Sequence, residues 1–63
     1  MIIFKDFLNV VSDADIISVY YNGNKVAYGN SDQIINECEN YLDYKVKYFA
    51  SEPTKVNALI VIL

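Results

Sequence analysis

Residues 58–63 form an uninterrupted apolar run that constrains the fold more than any other feature of the sequence. The run is too short for a stable helix and rich in β-branched residues, so it predicts a strand. Strand side chains alternate between the two faces of a sheet, so this strand is apolar on both faces. We assign three residues to the core side: Ala58, Ile60 and Ile62. The other three then point away from the core: Leu59, Val61 and Leu63.

A β-hairpin is the clearest local signal. Asn22-Gly23 lies between two β-rich segments, and this pair is preferred in a type I′ turn because both central residues need a positive φ. A two-residue loop fixes the strand register, so Val19 is predicted to lie opposite Val26 on the core side of the hairpin.

Two short amphipathic helices are predicted, one before and one after the hairpin, because apolar residues recur there at helical spacing. These residues are Phe4, Phe7, Leu8 and Val11 in the first segment and Ile34, Ile35, Cys38, Tyr41 and Leu42 in the second. Asn30 or Ser31 caps the second helix, and Gln33 occupies its third position if Asn30 is the cap.

An alternating segment at residues 44–51 supplies a further strand, so the element order is α-β-β-α-β-β. We predict a single domain over residues 1–63 with an α+β fold. It is a two-layer sandwich, in which two short helices cover one face of a four-stranded antiparallel or mixed sheet.

The second face of this sheet has no layer to cover it. Its predicted apolar set is Ile16, Tyr20, Phe49, Leu59, Val61 and Leu63. Such a set exceeds the few hundred Å² of contiguous apolar surface that monomers usually expose. We therefore predict that these residues form a subunit interface in a homodimer or larger homo-oligomer, burying roughly 800 Å² per partner. The alternative is that one helix crosses to this face.

The composition argues against several classes of partner. The chain has 63 residues and a net charge of −3, which disfavours nucleic-acid binding even though Lys45, Lys47 and Phe49 share one predicted strand face. No apolar run reaches the ~18 residues of a membrane span. The first residues lack the basic segment of a signal peptide, and Cys38 is the only cysteine, so we expect a cytosolic protein with a reduced thiol.

No catalytic, cofactor-binding or metal-binding residues are predicted. Cys38 has no histidine to activate it and lies on a helix stripe, which favours a core position. Asp13 and Asp15 resemble the start of a calcium loop, but its glycine and distal glutamate are missing. Glu37 and its acidic neighbours Glu39 and Asp43 indicate a solvated helix face, or else a face that a basic partner recognises. We therefore expect a protein that is not an enzyme.

The order of motifs resembles a group of short phage and prophage proteins from low-GC bacteria. These proteins share an opening helix, a strand beginning with aspartate, an Asn-Gly turn, a glycine before the second helix, a Tyr-Leu-Asp helix exit and a terminal apolar strand. Here the matching segments are 6–8, 13–20, 22–23, 29–34, 41–46 and 58–63. This chain departs from the pattern in its last strand, where charges often alternate with apolar residues and here do not.

The resemblance implies an accessory protein of a mobile element, and related small acidic proteins include anti-CRISPR and anti-Hachiman inhibitors. Our leading hypothesis is a non-enzymatic module that binds and inhibits or modulates a host anti-phage defence protein. One alternative is a small-molecule or nucleotide-binding protein with a pocket at a dimer seam, where only Lys25, Lys45 and Lys47 offer positive charge. Another is a structural or assembly factor of a virion.

Overall fold

The structure, a computed structural model, describes residues 2–63. Two α-helices and four strands follow one another in the predicted order, with a short 3-10 helix at Glu39–Tyr41 after the second α-helix. The elements are α1 (Phe4–Val10), β1 (Ile16–Tyr21), β2 (Asn24–Gly29), α2 (Ser31–Glu37), β3 (Tyr48–Ser51) and β4 (Ala58–Ile62). None of the helices in this range is long and apolar enough to cross a membrane.

The four strands form one mixed sheet in the order β2-β1-β4-β3. Neighbouring strands are antiparallel except for the central pair, β1 and β4, which run parallel. Both helices lie on one side of the sheet, and α2 packs against β1, β2 and α1. The predicted α+β sandwich with its helices on one face is confirmed.

The hairpin turn forms as predicted, but the register of its strands differs. Asn22 and Gly23 both have positive φ, at 52° and 79°, as a type I′ turn requires. A bulge between Val19 and Tyr20 then shifts the pairing, so that Val19 lies opposite Ala27. The predicted Val19–Val26 pair is therefore wrong, because a bulge places two residues of one strand against one residue of the other.

Asn30 caps α2 with a complete capping box. Its side chain accepts a hydrogen bond from the Gln33 backbone N–H at 2.9 Å, and the Gln33 side chain accepts one from the Asn30 N–H at 2.9 Å. The two bonds satisfy backbone donors that the first turn of a helix leaves without partners. Of the two predicted caps, the structure selects Asn30.

The hydrophobic core lies between the helices and one sheet face. The helices contribute the largest side chains, among them the fully buried Phe4, Leu8 and Ile34. The sheet contributes Ile17 and Val19 from β1, together with the core residues next to them on the same face of the neighbouring strands. The residues of the predicted helix stripes pack in or against the core except Ile35, which is 38% exposed on the outer side of α2. The second stripe is longer than its helix, since Tyr41 and Leu42 lie beyond the end of α2.

The face assignment of β4 is the reverse of the sequence prediction. Val61 is completely buried, and Leu63, just beyond the strand, is 3% exposed in the same core cluster. Ile62, assigned to the core, is 37% exposed on the opposite face. Backbone bonds at the two ends of the β1–β4 pair set this phase: the Asp15 N–H donates to the Asn57 carbonyl, and the Leu63 N–H donates to the Tyr20 carbonyl, each at 2.9 Å.

Candidate functional site: the open face of the sheet

Within residues 2–63, no second layer covers the sheet face opposite the helices, called the open face here. Alternation along the strands and the pairing register place ten side chains on it. They are Ile16, Ser18, Tyr20, Lys25, Tyr28, Tyr48, Ala50, Ala58, Ile60 and Ile62.

One row of side chains crosses the open face on all four strands. Lys25 lies opposite Tyr20, Tyr20 lies beside Ile62, and Ile62 lies opposite Tyr48. The row is therefore aromatic, aliphatic and aromatic from β1 to β3, with an ammonium group at its β2 end. Tyrosine offers a large contact area at low entropic cost, so this row has the composition of a binding surface rather than of a solvated one.

The neighbouring row of the open face contains smaller side chains. It runs through Tyr28, Ser18, Ile60 and Ala50, so two small residues flank the isoleucine. A side chain from a partner can approach the sheet over Ser18 and Ala50 while contacting the larger residues around them. The two rows together form an uneven apolar surface with a tyrosine at one end of each.

Two lysines converge on one corner of the open face. The Lys25 ammonium lies 4.9 Å from the centre of the Tyr28 ring and 5.8 Å from that of Tyr20. The Lys55 ammonium approaches the same Tyr28 ring at 5.6 Å and lies 3.5 Å from its hydroxyl oxygen. Both positions are within the range of cation–π attraction. The corner therefore carries two positive charges around a single aromatic ring.

Negative charge is excluded from the sheet. None of the four strands, all within residues 2–63, contains an aspartate or glutamate. The eight acidic residues of the chain lie in helices, turns and loops. Although the protein as a whole is acidic, its open face is apolar with a positive corner.

The structure separates the six predicted interface residues. Ile16 and Tyr20 lie on the open face, as predicted. Phe49 lies on the covered face, where its ring centre is 4.9 Å from that of Phe7 on α1. The remaining three pack against or within the core: Leu59, Val61 and Leu63. The predicted outward placement is therefore wrong for four residues: Phe49, Leu59, Val61 and Leu63.

Four residues of the open face were missed as site residues by the sequence analysis: Tyr28, Tyr48, Ile60 and Ile62. The last two were missed because β4 is apolar at every position and its own pattern cannot give its phase. Tyr28 alternates with Val26, so the predicted Val19–Val26 pair placed it on the core side, and the hairpin bulge reverses that placement. Tyr48 was missed because its neighbour Phe49 was predicted to point outward, which placed Tyr48 on the core side.

Cys38 belongs to the core and is completely buried, as predicted. Burial raises the pKa of its thiol to about 11, and the carboxylate of Glu37 adds to the rise. The thiol is therefore protonated at neutral pH and inaccessible. Within residues 2–63, no three histidine, cysteine, aspartate or glutamate side chains come together as a metal site would require.

Three tyrosines pack against one another where the hairpin end of β1 meets the segment after α2. The ring centres of Tyr21, Tyr41 and Tyr44 are separated by 5.1–5.4 Å, in tilted or edge-to-face pairs. The neighbouring Tyr21 raises the pKa of Tyr44, with partial burial and Tyr41 adding to the effect. This cluster closes the core on that side, since Tyr21 and Tyr41 both pack against it.

A cleft of about 250 Å³ lies between the end of α1 and the start of β4. Its charged and polar lining comprises Asp13, Lys55, Asn57 and Ser51. The volume falls below the ~300–1,000 Å³ typical of ligand pockets. Its lining has one ammonium group, that of Lys55, and also contains the Asp13 carboxylate, which does not suit a nucleotide phosphate. The open face is therefore the stronger candidate.

No protein-family model, curated protein or solved structure matches the chain.

Proposed function

We propose that the chain is a protein-binding module and that the open face is its binding surface. The observation that supports this most is the row of Tyr20, Ile62 and Tyr48 beside a positive corner on a sheet face free of carboxylates. Aromatic residues surrounded by apolar contacts dominate the binding energy of many protein interfaces.

The partner surface that fits this face is apolar at its centre and carries a carboxylate at one side. Lys25 and Lys55 both lie within 6 Å of the centre of the Tyr28 ring, so their charges repel each other. A carboxylate between them would replace this repulsion with two attractions. Charge complementarity of this kind sets the orientation and specificity of an interface.

The proposed target is a bacterial host protein of anti-phage defence, which the module inhibits or modulates without doing chemistry itself. The resemblance of the motif order to phage and prophage accessory proteins supports this choice of target. The buried, protonated state of Cys38 also supports a binding role, because it removes the single cysteine from consideration as a nucleophile.

Site-specific photocrosslinking in a bacterial host tests the proposal. A benzophenone side chain at position 62 lies on the open face, on the inner strand β4, and one at position 35 lies on the outer side of α2. These positions are matched, since Ile62 and Ile35 are 37% and 38% exposed. We expect a defence protein to be crosslinked from position 62 and not from position 35.

The identified target is then purified and its affinity measured. We expect Ile62→Lys to weaken binding on the order of tenfold or more, because it places a charge between Tyr20 and Tyr48 in the apolar row. Lys25→Glu should weaken it as well, and reversing the partner carboxylate to lysine should restore affinity. Crosslinking from position 35 alone, or an unchanged affinity in both variants, would overturn the proposal.

A further inference from the structure

The geometry points to a second interaction surface, the free edge of β3, and to a second copy of this chain as its occupant. In this arrangement the two β3 strands pair antiparallel and join two four-stranded sheets into one. The inference is independent of the proposed target, because it concerns an edge of the sheet and requires no other protein.

Strand β3 is at the end of the sheet order, so one of its two edges lacks a neighbouring strand. Within residues 2–63, the last contact on this side is at residue 46, where the Val46 N–H donates to the Ile2 carbonyl and Ile3 bridges Lys45. No strand in this described range bonds the outer backbone groups from Tyr48 to Ser51. Such an edge is a template for pairing with another chain.

The hydrogen-bond pattern shows which groups point outward. The Glu52 N–H donates to the Ala58 carbonyl at 2.8 Å, so Glu52 is directed towards β4. Backbone direction alternates along an antiparallel strand, which directs Ala50 and Tyr48 towards β4 as well. The N–H and C=O groups of Phe49 and Ser51 therefore point to the free edge.

A two-fold axis perpendicular to the sheet then selects the register. If Ala50 lies opposite its own copy, Phe49 lies opposite Ser51 of the partner subunit, and the pair can exchange both N–H···O bonds. Ala50 occupies the non-hydrogen-bonded position, where opposing side chains are closest and a small residue fits. The pairing between the two β3 strands ends where Lys47 lies opposite Pro53 of the partner subunit. The Lys47 N–H already donates to the Ile62 carbonyl of its own chain, and proline has no N–H to offer.

Exposure of apolar side chains supports this edge as an interface. Tyr48 and Phe49 are 60% and 54% exposed, more than any apolar residue at the centre of the open face. Val10 of α1, 73% exposed, lines the same cleft as Ser51 and so lies near the edge as well. The strand itself contains no charge and no proline, the residues that usually prevent edge pairing.

Two variants test the edge, with sedimentation equilibrium as the measurement of mass. Ala50→Lys brings two ammonium groups together at the two-fold axis. Ser51→Pro removes an outward N–H, which the fold itself does not use. We expect a dimeric parent at high micromolar concentration, both variants monomeric, and unchanged circular dichroism spectra for all three. Ile35→Lys adds the same charge on α2, over the other side of the sheet, and should remain dimeric.

Hydrogen exchange provides a second readout that does not depend on a variant folding. The amides of Phe49 and Ser51 should become protected as the protein concentration rises, while those at the outer edge of β2 should not. A parent that is monomeric at high micromolar concentration would overturn the inference. So would a dimer that keeps its mass in Ala50→Lys but dissociates in Ile62→Lys, since that dimer would pair through the open face.

Discussion

Val61 and Ile62 are neighbours in sequence with similar side chains, yet one is completely buried and the other is 37% exposed. They represent the two faces of the sheet, which are both rich in aliphatic and aromatic residues. The covered face is buried because α1 and α2 lie on it, and the open face is exposed because no element of the described chain lies on it. Hydrophobicity alone therefore does not determine which face of this sheet becomes the core.

The two faces differ more clearly in polar character than in apolar content. On the covered face the only polar strand side chains lie at its margin, as Ser51 does at the end of β3. The open face has Ser18 among its apolar residues and is bounded by Lys25 and Lys55. A face that remains accessible to water and to partners keeps polar groups among its apolar ones, and this distinction identifies it better than a count of apolar residues.

A charge placed at these two neighbouring positions is the strongest test of the comparison. Val61→Lys buries an unpaired ammonium group and should cost roughly 3–5 kcal/mol, enough to unfold a domain of this size. Ile62→Lys places the same charge on the open face, and we expect a change within about 1 kcal/mol. Urea denaturation followed by circular dichroism measures both. Equal destabilisation by the two variants would show that the open face is covered in solution.

The pH dependence of stability tests the burial of Cys38 beneath the covered face. The thiol pKa is raised to about 11 in the folded chain, against 9.0 for an unperturbed thiol. The unfolded chain therefore loses this proton first, so the contribution of this thiol to stability is constant below pH 9 and falls between pH 9 and pH 11. The loss should be about 3 kcal/mol.

Cys38→Ala serves as the control, because it removes the titration of the thiol. The titration of Tyr44 remains in both the parent and the variant. The difference in unfolding free energy between parent and variant should narrow as the pH rises from 9 to 11. Rapid stoichiometric labelling of Cys38 under native conditions at neutral pH would contradict its buried position.

The hairpin turn tests how the register assigns residues to the two faces. Gly23 has a φ of 79°, which is strained for a β-branched residue. No heavy atom lies within 4 Å of an added Cβ, so the cost of Gly23→Val should come from backbone strain alone. We expect a loss of about 1 kcal/mol or more, measured by thermal unfolding. A variant that melts with the parent would show that the turn is not of type I′.

The smallest expected effect on stability concerns the positive corner. Lys25→Met keeps the length of the side chain and removes its charge, so it eliminates the attraction to the Tyr28 and Tyr20 rings and the repulsion from Lys55. We expect these terms to offset each other, leaving a change below about 1 kcal/mol in thermal unfolding. A larger loss would mean that the corner supports the fold rather than a partner.

Much of the fold could be predicted from the sequence because its signals are local. Helical spacing identified the helices, and Asn30 with Gln33 marked the start of α2. Asn22-Gly23 located the hairpin turn. Each of these features depends on residues close together in the chain, where propensity and hydrogen bonding determine the structure.

The errors concern properties set by distant residues. The bulge at Val19 and Tyr20 is a feature of the pairing between two strands, and no residue of β2 specifies it alone. The phase of β4 depends on bonds that Asn57 and Leu63 make to the segment around β1. The candidate site was consequently predicted in part: an uncovered apolar face exists, but Ile16 and Tyr20 are the only predicted members that lie on it.

The parallel pairing of β1 with β4 also affects how the chain folds. Ile16 pairs with Ala58, so nearly the whole sequence must be brought together before the two central strands meet. The β1–β2 hairpin involves only local contacts and should form early, whereas insertion of β4 between β1 and β3 requires closure of a long loop. Until that step, β1 has an unpaired edge, and the chain is most prone to associate incorrectly. The slow step of folding should therefore be the arrival of β4, and variants that weaken the pairing of β4 with β1 should slow refolding.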